Sequence, residues 1–246
     1  DWVEVLPVIG AFADEVAFWS PRFDKTDQKV ENSDLVFVGY GVTAPSEKWD
    51  DFKGIDVKGK TIVLLINDPG FITRDKKMFK GRAMTYYGRW TYKFEEAARQ
   101  GAAGALLIHT DESATYPWQV VQSSWTGTQY SLPPAPGAPA LGVKAWVSNG
   151  AASDLVTRAG RSLDALRSNA SMRGFTAVPL GITATASLTQ TSARRVSPNV
   201  VGVLKGTDPS LGATSVVLTA HLDHIGLRPS GDGDRINNGA YDNAMG

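Results

Sequence analysis

Apolar positions in this chain gather into short β-type runs separated by turn residues, and helical spacing surfaces in only a few places. Residues 35–42, Leu35-Val36-Phe37-Val38-Gly39-Tyr40-Gly41-Val42, are β-branched and aromatic and predict a strand ending at Ala44-Pro45-Ser46. Residues 61–68 are almost continuously apolar, the pattern of a strand covered on both faces, which predicts a central place in a sheet; Pro69-Gly70 closes the run. Between 90 and 100, Tyr92, Phe94, Ala97 and Ala98 are set against Lys93, Glu95, Glu96 and Arg99, so a helix is expected, with Gly101 as its stop. A strand then returns over 105–109. A helix that leads back into a strand is the second half of a crossover unit, so 35–145 reads as a mixed sheet with helical cover.

Elsewhere the pattern is weaker. Residues 1–34 mix brief apolar stretches with charge, and Asn32-Ser33-Asp34 reads as a turn. Residues 113–139 form a long irregular insertion holding Trp118, Trp125, Tyr130 and the tract Leu132-Pro133-Pro134-Ala135-Pro136-Gly137. Its rings have two readings, ordinary packing under a loop or cover for a cleft or peptide. Residues 156–166 suggest a short surface helix, and 181–189 alternate like an exposed strand. Beyond a boundary placed just after that strand, 198–204 and 215–220 predict two further strands, with a turn at 205–209. The chain shows no internal repeat.

Composition narrows the chemistry. The 246 residues carry 25 basic and 25 acidic side chains, so the total charge favours neither nucleic acid nor an anionic membrane. With no cysteine, disulfides, thiolate nucleophiles and Cys-based zinc sites are excluded, leaving His and carboxylates as metal ligands. No apolar run approaches the ~18–20 residues of a membrane span. The start, Asp1-Trp2-Val3-Glu4, lacks a basic then apolar leader and reads as processed or trimmed.

Candidate chemistry lies at the end of the last predicted strand, in Thr219-Ala220-His221-Leu222-Asp223-His224-Ile225-Gly226. On a strand or its extension, His221 and Asp223 point to the same side, and a carboxylate so placed can fix the geometry of a metal-binding imidazole. Twenty-one residues after His221 comes Asp242, within Asn238-Gly239-Ala240-Tyr241-Asp242-Asn243-Ala244-Met245-Gly246, where small residues let an acidic side chain approach a cation. Taken singly, such a histidine is an ordinary polar residue and such a loop an ordinary turn. A calcium loop at Asp232-Gly233-Asp234-Arg235-Ile236-Asn237 fits poorly, because Ile236 stands where a ligand is needed and Asn237 where glycine is. His224 reads as a loop residue and His109 as structural.

Together these segments resemble the M28 family of zinc peptidases, whose pattern is a strand, His-x-Asp, a Gly-rich loop and Gly-Ala-x-Asp-Asn-Ala-x-Gly. The resemblance implies that His221 binds one zinc, that Asp242 bridges two, and that Asp223 acts catalytically by supporting His221 rather than by binding metal. The runs Phe37-Val38-Gly39-Tyr40-Gly41, Trp49-Asp50-Asp51-Phe52, Val57-Lys58-Gly59-Lys60, Asn67-Asp68-Pro69-Gly70 and Lys93-Phe94-Glu95-Glu96-Ala97-Ala98 look like a protease-associated domain. The fold expected from this resemblance is mixed α/β: residues 1–34 begin the peptidase domain, 35–190 are an inserted protease-associated domain, and 191–246 start the catalytic domain. Met245 stands where the family more often has a small residue. The paired glutamates, later aspartate and later histidine of the family are not among these residues.

The resemblance implies an aminopeptidase with two zinc ions in the full-length enzyme, acting on a peptide or protein substrate and exported from the cytoplasm. These residues alone are expected to hold no zinc or one ion weakly, and to be inactive. The rival from another class is a binding module whose protease-associated domain contacts substrate or a partner without catalysis. Neither oligomeric state nor side-chain preference is written in any motif.

Overall fold

In a computed structural model, residues 14–221, 224, 227, 231–236 and 239 are described. The chain divides into two compact units, residues 1–193 and 194–246. The first contains β1 (Val16–Trp19), β2 (Asp27–Phe37), β3 (Thr43–Ala44), β4 (Trp49–Asp50), β5 (Thr61–Leu65), α1 (Gly70–Thr73), α2 (Trp90–Arg99), β6 (Gly104–Ile108), α3 (Asp111–Ala114), α4 (Trp118–Trp125), β7 (Val143–Val147), α5 (Asn149–Arg158), α6 (Leu163–Ala170) and β8 (Val178–Thr189). The fold is mixed α/β, as expected.

Six strands form one sheet in the order β1-β7-β6-β5-β2-β8. The inner four are parallel, and β1 and β8 close the two edges antiparallel. Alternation along the parallel strands sends side chains to two separate cores. Val63, Leu65, Leu106, Ile108, Ala145 and Val147 face one, where they meet Leu155 and Val156 of α5 and Leu163 and Leu166 of α6. Ile62, Leu64, Ala105, Leu107 and Trp146 face the other, against Phe94, Ala97 and Ala98 of α2 and Val121 of α4. All five residues of β5 are buried, so the continuous apolar run is the signature of a strand sandwiched between helices. Removing Leu64 or Leu107 from water is each worth roughly 1.5–3 kcal/mol.

The expected strand at 35–42 is displaced. Pairing extends it back to Asp27, through the anticipated turn at 32–34, and it ends at Phe37. Asn32 bulges at φ 46°, with a register shift between Val30 and Ser33, so the turn-forming signal is spent inside the strand as a bulge. After Phe37 the backbone turns at Gly39, φ 58°, whose carbonyl accepts the Leu65 amide at 2.8 Å; a Cβ there would lie 2.8 Å from the Phe175 ring. Residues 16–34 thus share a sheet with residues 61–65, 104–108 and 143–147 through β1 and β2.

Two further expectations change. The surface helix at 156–166 is two helices, split by Gly160 at φ 68° and restarted by Ser162, whose hydroxyl accepts the Ala165 amide at 3.3 Å. The insertion at 113–139 is helical over α4. There Trp125 stacks on Trp19 at 4.7 Å and meets Trp90 edge-on at 4.6 Å, so Trp125 takes the packing role.

Within the second unit, neither 198–204 nor 215–220 is a strand. Val200 is 95% and Leu204 98% exposed. A strand is made by its neighbours' hydrogen bonds, and among the described residues of this unit the only pairing is an isolated antiparallel bridge between Leu227 and Ile236. The turn falls at 208–214 instead of 205–209: Asp208 accepts the Ser210 amide at 2.7 Å and the Thr214 amide donates to Leu211 O at 2.8 Å.

Candidate metal segment and a buried polar network

The metal-type residues lie in the second unit. His221 is exposed and follows a stretch without regular secondary structure rather than the strand expected to carry it. His224 is exposed as well. Asp223 and Asp242 lie outside the described residues, as do the flanking residues 222, 225 and 226. Among the described residues no group of three or more His, Cys, Asp or Glu side chains gathers into a metal site. Nearby, Asp234 accepts the Ile236 amide at 2.9 Å and so caps a local turn, as short acidic residues in Gly-rich loops do. The donor types in this segment, imidazole and carboxylate without thiolate, suit zinc in a catalytic setting.

The first unit holds a polar network that the sequence reading did not single out. Lys93, on the apolar face of α2, is fully buried; its Nζ donates to the Tyr40 carbonyl at 2.5 Å and sits 5.6 Å from that ring's centre. Asp51 is also buried and accepts the Val42 amide at 3.0 Å and Trp49 Nε1 at 2.7 Å. Asp68 accepts the Thr85 amide at 2.7 Å and its hydroxyl at 3.1 Å. Burial pushes the Lys93 amine down, against the pull of Asp68 and Asp51, and pushes the Asp51 and Asp68 carboxyls up. Lys93 stands in a helix stripe next to Phe94 and Ala97, so its charge disguised its burial; a lysine on the apolar side of the moment was the available signal.

His109 directly follows β6 and packs as the structural residue expected, with Tyr116, Trp118 and Trp146 rings at 5.5, 5.4 and 5.9 Å. Among the described residues, His109 Nε2 and Trp146 Nε1 are buried without a hydrogen-bond partner. Burial lowers the His109 pKa.

Residues 199–246 match the model of peptidase family M28, which bears out the resemblance drawn from His221, Asp242 and their surroundings. An aminopeptidase from Aneurinibacillus sp. strain AM-1 aligns in structure at 18% identity and TM-score 0.29, covering 71% of this chain and 32% of that one. The chain therefore spans about a third of the length of that aminopeptidase. No curated protein sequence matches.

Proposed function

We infer that this chain, whose residues 199–246 match the model of peptidase family M28, is part of a zinc-dependent aminopeptidase that hydrolyses N-terminal peptide bonds. The single observation that carries the reading is the family match, because it falls on the one segment holding His-x-Asp and Gly-Ala-x-Asp-Asn-Ala-x-Gly together. In this reading His221 would offer a neutral imidazole nitrogen to zinc, and Asp242 would offer it a carboxylate. Asp223, two residues beyond His221 in sequence, would support that imidazole as a hydrogen-bond acceptor rather than bind metal itself. Zinc held there supplies Lewis acidity and a bound water that ionises near pH ~7.

The remaining donors and the proton-shuttling glutamate come from outside these residues, so residues 1–246 alone are inactive and hold at most one ion weakly. Residues 35–190 act as a protease-associated domain, with β1 and the start of β2 completing its sheet. The substrate is a peptide and the setting extracytoplasmic; among the described residues no helix is long and apolar enough to cross a membrane. An aminoacyl-anilide assay tests this. The parent protein turns over in a chelator-sensitive way and residues 1–246 do not; turnover by residues 1–246, or a parent indifferent to chelators, overturns it.

A further inference from the structure

A cleft of about 190 Å3 opens in the first unit at the carboxyl ends of β5 and β6. That edge of a parallel sheet is where α/β folds place their ligands. Leu65, Ile66 and Ile108 at the strand ends, with Phe71 and Ile72 of α1, make an apolar wall. Its volume lies below the ~300–1,000 Å3 of drug-sized sites and suits a single amino-acid residue.

Arg167 of α6 brings the charge to this cleft. Its side chain is only 20% exposed. Its guanidinium donates to neutral Asn149 Oδ1 at 2.5 Å, and to Asp164 Oδ1 at 3.4 Å. The Asp164 side chain is 93% exposed, so water screens that charge. Arg167 therefore keeps most of a positive charge in a poorly solvated place, where burial already disfavours the cation. Glu112, the acidic residue lining the cleft, is held by Arg82 at 2.7 Å. Tyr40 also lines it; burial raises its phenol far above the ordinary value, so it stays protonated and can donate, while the nearby Arg167 charge pulls the other way. Thr110 and Ser113, whose hydroxyls bond each other, complete the polar side.

One cation, a neutral phenol and two hydroxyls facing an apolar wall match a monoanion with an apolar body. We propose that this cleft binds the carboxylate of an apolar amino-acid residue, either free or at a peptide's C-terminus, through Arg167. A dianionic phosphate fits less well, because one guanidinium leaves half its charge unpaired.

Calorimetric titration of the 246-residue chain with N-acetyl-L-leucine, L-leucine and N-acetyl-L-leucinamide tests this. The carboxylates bind saturably and the amide at least about tenfold more weakly. Free leucine binding more tightly assigns the site to a released amino acid, and the acetylated form binding more tightly assigns it to a peptide C-terminus. Arg167→Gln weakens the carboxylates about tenfold or more. Ile72→Glu, at a residue 45% exposed and so tolerant of change, does the same by repulsion and decides the matter should Arg167→Gln fail to fold. Equal binding of acid and amide, no saturable binding, or unchanged binding in Ile72→Glu overturns the proposal. The site uses no metal, so a chelator leaves the titration unchanged. Loss of binding on chelation would assign it to the His221 segment and refute the cleft, whereas a failed peptidase assay would leave the cleft untouched.

Discussion

The two units of this chain carry their information in opposite forms. The first has two packed cores and a six-stranded sheet, but its motifs say little about chemistry. The second holds the stretch that matches the M28 model, yet its apolar runs at 198–204 and 215–220 form no strand, and the one bridge among its described residues lies outside them, between Leu227 and Ile236. The aliphatic runs at 61–65 and 198–204 look alike on paper. They differ because β5 has β2 and β6 on either side and helices above and below, and the later run has no such neighbours among the described residues. Strand propensity is a statement about surroundings, and a signature motif is a statement about chemistry, so neither substitutes for the other.

The sharpest way to break this contrast is to remove a charge that only a packed unit can hold. Lys93→Met leaves Asp51 and Asp68 buried without their cation and should cost about 3–5 kcal/mol in urea unfolding; adding Asp51→Asn should recover part of it. A loss under 1 kcal/mol would mean the network is already neutral. Next comes a matched pair of deletions. Leu64→Ala, in the core, should cost about 2–5 kcal/mol, while Leu204→Ala should stay within ~0.5 kcal/mol, both read from the same unfolding transition. Equal losses would erase the distinction between the units. Ser162→Ala removes the α6 cap, and a loss of about 1 kcal/mol is expected in thermal melts.

The smallest effect is a pH dependence. His109 is neutral in its apolar pocket because burial lowers its pKa below the ordinary 6.5. The unfolded chain therefore takes up a proton first as pH falls, so this contribution to stability is complete above pH 6.5 and is lost on acidification through and below that value. Replacing His109 with glutamine should flatten the slope of melting temperature between neutral and mildly acidic pH.

The sequence made β5, α2, β6 and the edge strand β8 legible, because each combines a clean period with a stop residue such as Gly101. It misplaced β2, since the bulge at Asn32 mimics a turn and only the partner β8 reveals otherwise. It merged α5 with α6, whose boundary depends on Gly160 and the Ser162 cap rather than on periodicity. At the candidate site, residue types and their order were legible in His221, Asp223 and Asp242. The strand meant to carry them was not, because strand formation there depends on partners beyond the local sequence. Arg167 was invisible for a related reason: its cleft joins α6 to strand ends some sixty and a hundred residues earlier in the chain.

One measurement bears on the peptidase reading more directly than any other: metal content and aminoacyl-anilide turnover of the parent protein, with and without His221→Ala. The account predicts bound zinc in the native enzyme, and a His221→Ala variant that melts normally while losing metal and at least about a hundredfold of its turnover, no less than the upper end of what losing a partner of a metal ligand costs. Full turnover in that variant, or a native enzyme without any transition metal, would contradict it.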